Sequence, residues 1–389
     1  MWNSKLLPWE YGIRNLFRRP LRSVLTFASL TTVILLLFVV VGFIRGLETS
    51  LATSGDPHVV IVYSLGMGAN LEYSSIPARS SDLLSASLAG IKVRHGKKYA
   101  SPELYLGTQV RIGQRKEPSM GLVRGVTPAA VLVHQQIEII EGKWPGPGEV
   151  LVGRLAARKL SVEAGELAIG QSVSLEGRPW RVSGTFAARG SVFESELWCP
   201  LDDLQQSMKR QDLSLVAVTL RPDADTEDVN LFCMQRLDLE LQAIGEAEYY
   251  DSIKRHYRPV RLLAWLVVLL VAGAGIFAGL NTMYGAALGR VRELATLQTI
   301  GFPRRSMLLS LIQEGTILSV AASLLAALLA FTLVHGASVR FTMEAFELRV
   351  DGVSLFVGCG TGILLGIGGA IPPAIRALRM PIVDGLKAI

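Results

Sequence analysis

Charge and cysteine are scarce in this sequence. Of its 389 residues only 19% are charged while 50% are hydrophobic, a balance that excludes an ordinary soluble protein of that length. The three cysteines, Cys199, Cys233 and Cys359, form no CxxC pair and have no histidine cluster beside them, which excludes a disulfide framework and a sequence-encoded zinc site. A single Cys199–Cys233 bridge stays open if both lie outside the cytoplasm. Catalytic signatures are missing too. There is no GxxxxGK[ST], and GPGEVLVGR at Gly146 to Arg154 lacks the lysine and hydroxyl of a phosphate loop, so it reads as a turn followed by a strand. HExxH and GxSxG are absent, and His58, His95, His134, His256 and His335 have no histidine or cysteine at i+3 or i+4. The sequence therefore offers no catalytic residue, no metal site and no cofactor site. Nucleic acid is not indicated either, because the net charge of +6 gathers beside apolar runs rather than on a basic patch.

Long apolar runs are what the sequence does have. Ser23 to Ile44 is about 22 residues without a charge, long enough to cross a hydrocarbon core as a helix and too long for a cleaved signal peptide. Three more runs follow, at about Leu262 to Leu288, Met307 to His335 and Gly352 to Ile375. Four spans put both termini on one side. The N-terminal segment, the loop after the second span and the tail together carry 12 basic and 3 acidic residues, so the positive-inside rule makes these three segments cytoplasmic. KRHYRPVR, with Lys254, Arg255, Arg258 and Arg261, opposes this at the outer end of the second span. Long translocated domains escape the rule, and these side chains can meet lipid phosphates or extend the helix as a stalk.

About 210 residues separate the first two spans, enough for one or two compact domains. Runs such as HVVIVY, TQVRIG, QSVSLEGRPWRVSGTF and LSLVAVTLRP alternate with helical stretches such as GRLAARKL and LDDLQQSMKR. The fold class is thus an integral membrane protein, with four transmembrane α-helices plus a large α+β extracytoplasmic domain between the first and second spans.

Small residues and one carboxylate stand out within the spans. Gly275 and Gly279 form a GxxxG in the second, and the fourth carries Gly362 and Gly366 among several glycines. Such residues let helices approach closely, either within the chain or at a dimer seam. The first span, with ILLLFVVV, is bulkier and is expected to face lipid more. Glu314, in the cytoplasmic third of the third span, implies a function, a polar partner or nearness to the interface.

The stretch LGRVRELATLQTIGFPRRS, Leu288 to Ser306, is a short charged interruption between two spans. Leu288, Val291, Leu294 and Leu297 recur at helical spacing while Arg290 and Glu293 point elsewhere. Gly301 suits a left-handed C-terminal cap, and Pro303 prevents simple continuation of the helix. Such a helix rests in the headgroup region or docks into a groove on a protein partner.

These residues resemble a known family. GRVRELATLQTIG is similar to the R-x-R-E-[IL]-[AG]-x-[LM]-x-[AST]-[IL]-G segment that precedes the third span of MacB/FtsX/LolC-type ABC transporter permeases, with Glu314 where such permeases often have a Glu. YGIRNLFRRPLRSVLTFASL resembles the family's helix leading into the membrane, and PPAIRALRMPIVDGLKAI its usual ending, with Gly385 and Lys387 replacing Ala and Arg. In the outer domain, GLVRGVTPAAV, EGKWPGPGEVLVGRLAARKL and IGQSVSLEGRPWRVSGTF resemble it less tightly. The resemblance implies a mechanotransmission-type permease without a fused ATPase domain, in a bacterial inner membrane with both termini cytoplasmic.

On that reading residues 1–22 form a cytoplasmic amphipathic helix and 23–45 the first transmembrane helix. The extracytoplasmic domain, with two subdomains in several members, covers 46–257, and the second transmembrane helix with its stalk 258–288. A cytoplasmic coupling helix and loop take 289–306, the third transmembrane helix 307–335, a short outer loop 336–351, the fourth transmembrane helix 352–375 and the cytoplasmic tail 376–389. The implied partners are two copies of a cytoplasmic ABC ATPase, which holds the ATP and Mg, a second permease as homodimer or heterodimer, membrane lipid and, in some members, a periplasmic adaptor. The implied ATPase-coupling residues are Arg290, Arg292, Glu293, Leu294, Leu297, Ile300 and Gly301, with Leu294 and Leu297 filling a groove on the partner. The rival expectation is a transmembrane sensor that relays an outer ligand through an ATPase partner.

Overall fold

The computed structural model describes residues 14, 16–18, 20–68, 70–113, 117–288, 291–342 and 344–379. Contacts divide them into two compact units. A membrane unit holds the residues up to Arg45, Pro259–Ala337 and those from Leu348 onward; an outer unit holds Gly46–Arg258 and Ser338–Glu347.

Among the described residues four helices are long and apolar enough to cross a membrane. They are Pro20–Ser54, Arg258–Leu288, Arg304–Leu329, prolonged by a π turn at Ala330–Val334, and Gly352–Arg379. The fourth touches each of the others, and its glycines explain how. A Cβ added at Gly358 would stand 2.5 Å from the Phe38 ring of the first span, and one at Gly362 would stand 2.0 Å from Ser323 Oγ of the third. Gly366 faces Ser319 and Gly315 of the third span, and Gly369 faces Gly279 of the second. Gly275 closes on Val33 and Leu365. These glycines are met by the chain's own helices, whereas Gly273, Gly360 and Gly368 have open space beside them.

The lipid exposure expected of the first span is corrected. Its apolar window is 39% buried, as much as the fourth, while the second span is only 17% buried. Bulk is the reason rather than an obstacle. Ile34, Leu37, Phe38 and Val41 are all nearly inaccessible, because large side chains of one helix fill the space that Gly358 and Gly362 leave in another. The second span instead exposes Leu262, Leu263, Leu269, Leu270 and Phe277.

In the outer unit ten strands form one sheet: β1 (Val59–Ser64), β2 (Ala100–Ile112), β3 (Ser119–Val126), β4 (Glu138–Gly142), β5 (Glu149–Gly153), β6 (Ser172–Leu175), β7 (Arg178–Ala187), β8 (Glu196–Pro200), β9 (Leu215–Thr219) and β10 (Leu241–Gly245). The order is β10-β1-β9-β2-β3-β8-β5-β7-β4, with β6 pairing β2 and β7. The apolar run VVIVYS makes β1 a central strand, paired on both edges and buried on both faces. Strand β2 belongs to two halves. Its start, Ala100 to Glu103, pairs with β9, and its continuation from Leu104 pairs with β3. The half made of β1, β9 and β10 is thereby interrupted in sequence by the half that runs from β3 to β8.

Residues 336–351, read from sequence as a short loop, contain a hairpin of β11 (Ser338–Phe341) and β12 (Glu344–Glu347). Both strands are four residues long and carry charges, so no alternating apolar pattern announces them.

Candidate functional site

Val291–Thr299 is the short helix between the second and third spans. It ends in a Schellman motif: Phe302 N–H donates to Leu297 O at 3.1 Å, Gly301 N–H donates to Gln298 O at 3.1 Å, and Gly301 has φ +98°. Pro303, extended at φ −70° and ψ 145°, then starts the third span. Val291, Leu294 and Ala295 are buried, whereas Arg292, Glu293, Thr296 and Ile300 are exposed. Leu294 packs on Met307, Leu311 and Ala374, with half-buried Leu297 beside them. This corrects the expectation that Leu294 fills a groove on a partner, because the apolar stripe is already covered by the chain's own third and fourth spans. What remains outward is a polar ridge of Arg292, Glu293 and Thr296, with Ile300 at 66% exposure as its one large apolar tip. Arg290 lies outside the described residues. Glu314 is buried on the stripe of the third span that also carries Met307, Leu311 and Gly315.

Sequence spacing missed a second cluster, in the outer unit. Arg124 on β3 donates from Nε and Nη2 to the two oxygens of Glu196 on β8, each at 2.7 Å, and from Nη1 to Glu103 on β2 at 2.6 Å. Glu103 also accepts from His134 Nε2 at 2.8 Å, and Trp198 Nε1 donates to Glu196 at 2.7 Å. The guanidinium lies 4.3 Å from the Tyr105 ring centroid, a cation–π contact. Glu246 completes the cluster. Its Oε2 accepts the Asp56 N–H at 2.9 Å, and its Oε1 lies 3.7 Å from His134 Nδ1.

All five ionisable side chains are nearly inaccessible. Burial raises the Glu103 carboxyl, but His134 and Arg124 outweigh it and hold the pKa at about 2. Burial also works against the charge on His134, and Glu103 overcomes it, so the imidazole is shifted upward. Glu246 goes the other way, because burial dominates and pushes it up to about 7. A network this buried is weak evidence of stability, yet removing one member strands the others. These partners are far apart in the chain, so no local motif could reveal them; the one available signal was charged residues inside otherwise apolar strands.

The hairpin is held by a third polar set. Lys159, fully buried, donates from Nζ to Thr342 O at 3.0 Å, and Arg158 donates to Ser338 Oγ at 2.8 Å. Arg154 bridges buried Glu194 at 2.8 Å and Glu347 at 3.0 Å. A Cβ at Gly46 would stand 2.3 Å from Glu347 O.

Cys199 and Cys233 are both free and buried, which removes the bridge that was left open. Among the described residues no group of three His, Cys, Asp or Glu side chains is placed to hold a metal ion. An open cleft of about 250 Å³ lies along Leu88, Leu220, Val229 and Phe232, with Asp225 and Asp228 beside it. It is smaller than the usual site for a ligand of drug size.

Residues 23–230 match the family model described as MacB-like periplasmic core domain, and residues 265–382 match the FtsX-like permease C-terminal model. No curated protein matches the chain. Among solved structures, the chain is similar to the periplasmic region of MacB from Actinobacillus actinomycetemcomitans, at 12% identity and a TM-score of 0.40 over 54% of this chain and 96% of that one. It is also similar to the extracellular domain of the noncanonic ABC-type transporter YknZ from Gram-positive bacteria, at 15% identity and a TM-score of 0.37 over 48% of this chain and 99% of that one.

Proposed function

Because this chain belongs to the MacB/FtsX-type family of ABC transporter permeases, we propose that it couples ATP hydrolysis on a separate cytoplasmic ATPase to movement of its outer domain. The chain itself is a non-catalytic bacterial membrane subunit. It works as a dimer, homomeric or heteromeric, on two ATPase copies, in the inner membrane with both termini cytoplasmic. Its task is export, extraction or trans-envelope transfer of a lipid, lipoprotein, peptide or small hydrophobic molecule. ATP and Mg belong to the ATPase.

The observation that carries this reading is the division of Val291–Thr299 into two faces. Its apolar stripe is anchored on Met307, Leu311 and Ala374, so force on the exposed ridge passes directly into the third and fourth spans. Arg292 and Glu293 supply polar contacts on that ridge, and Ile300 supplies an apolar tip for a pocket.

The test is to coexpress the chain with the ATPase encoded nearest to it and to reverse both charges, as Arg292→Glu with Glu293→Arg. Membrane insertion should be unchanged, while retention of the ATPase on purification drops by about tenfold or more. If the ATPase stays bound and its hydrolysis stays coupled after reversal of the whole exposed ridge, the assignment fails.

A further inference from the structure

The corner that follows the first helix is held by the buried cluster. Ser54 Oγ accepts the Val192 N–H at 2.9 Å and donates to Ser50 O at 2.8 Å. Gly55 sits so close to the next helix, Glu246–His256, that an added Cβ would stand 2.6 Å from Ala247 Cα. Asp56 then donates its N–H to Glu246. The single carboxylate of Glu246 thus joins the end of one helix to the start of another, and behind it lies His134.

His134 is 2% exposed and its Nδ1 has no hydrogen-bond partner. That nitrogen faces Glu246 Oε1 at 3.7 Å. The other ring nitrogen is committed to Glu103, an acceptor only, so it keeps its proton. Nδ1 therefore decides the charge of the ring. With one proton between Nδ1 and Glu246 the two groups attract; with none, a lone pair faces a carboxylate in a site without solvent, and the pair repels. The surroundings favour holding that proton. Glu103 from β2 and Glu196 from β8 are set against Arg124 from β3 alone. Tyr249 and Tyr250, on the same helix as Glu246, are buried and add no positive charge.

We propose that His134 and Glu246 bind one exchangeable proton that clamps the Ser54–Asp56 corner onto the helix Glu246–His256, making this joint sensitive to the acidity of the outer compartment. The direction follows from the two shifts. Both groups hold their proton more tightly when folded, with Glu246 raised from 4.5 to about 7 and His134 raised as well. The stabilisation is therefore complete at low pH and is lost as pH rises through about 7.

The test uses the full chain in lipid nanodiscs and needs no ATPase. Amide hydrogen exchange of residues 54–58 and 246–250 is followed from about pH 6 to about pH 8.5, corrected for intrinsic rates. In the unmodified chain, protection of these amides should fall about fivefold or more across that range while the β1 amides hold theirs. Glu246→Gln keeps its oxygen on the Asp56 N–H and presents its NH₂ to Nδ1, which accepts from it as a neutral ring across this range, so its protection should be high and flat with pH. The exposed neighbour Glu248→Gln should retain the step. A flat profile in the unmodified chain, or an undiminished step in Glu246→Gln, overturns the proposal, and the first of these decides it even where the variant fails to fold.

Discussion

Leu294 and Arg292 stand two positions apart on the Val291–Thr299 helix and face opposite ways. One is 6% exposed and packed on Met307, Leu311 and Ala374; the other is exposed. Leu294→Ala should loosen the helix from the spans by about 2–4 kcal/mol, the range for a leucine truncated in a packed site. Faster amide exchange over 291–302 would report it, without altered exchange in the outer sheet. This residue also marks a limit of sequence reading. Helical spacing found the apolar stripe, but a stripe says only that something covers it, and the cover turned out to be the chain's own Met307 and Ala374. Glu103, Arg124, His134, Glu196 and Glu246 were less legible still. Their meaning depends on contacts between segments distant in sequence, and His134 has no histidine or cysteine at ligand spacing.

At the level of elements, the four spans and the main strands were readable because each has an unbroken or alternating apolar pattern, as in β1 and the first span. The packing of the spans was not, because a glycine-rich helix announces close approach without naming its neighbour. The Gly362–Ser323 contact can be tested directly. Gly362→Ala should destabilise the membrane unit, since the new methyl would lie 2.0 Å from Ser323 Oγ. Ser323→Ala should restore part of the loss, leaving the flexible Ile34 Cδ1 at 2.9 Å and the Cβ of residue 323 at 3.3 Å. Gly366→Ala should not be rescued by Ser319→Ala, because the Gly315 carbonyl oxygen at 2.9 Å is backbone and cannot be trimmed. Thermal melts of the single and double variants in one detergent would separate the cases.

Across the whole molecule, the outer unit is built from more than the long segment between the first two spans. It includes the β11–β12 hairpin, supplied by the connector between the third and fourth. Arg154→Ala combined with Lys159→Met removes two of the hairpin's cationic supports while keeping most of the buried volume at 159. Amides of residues 338–347 should then exchange about tenfold faster or more, and a protease site placed at Thr342 should become cleavable. Unchanged exchange would mean that the aromatic packing of Phe341 and Phe346, ring centroids 6.4 Å apart, is sufficient. The position of the fourth span has a different consequence, for the order of synthesis. The helix that touches all three others is the last of the four to leave the ribosome, so the earlier three must wait in the bilayer with Phe38, Ser323 and Gly279 unmatched. Membrane quality control therefore has a simple mark of an unfinished chain: side chains left bare until the glycines of the final span close over them.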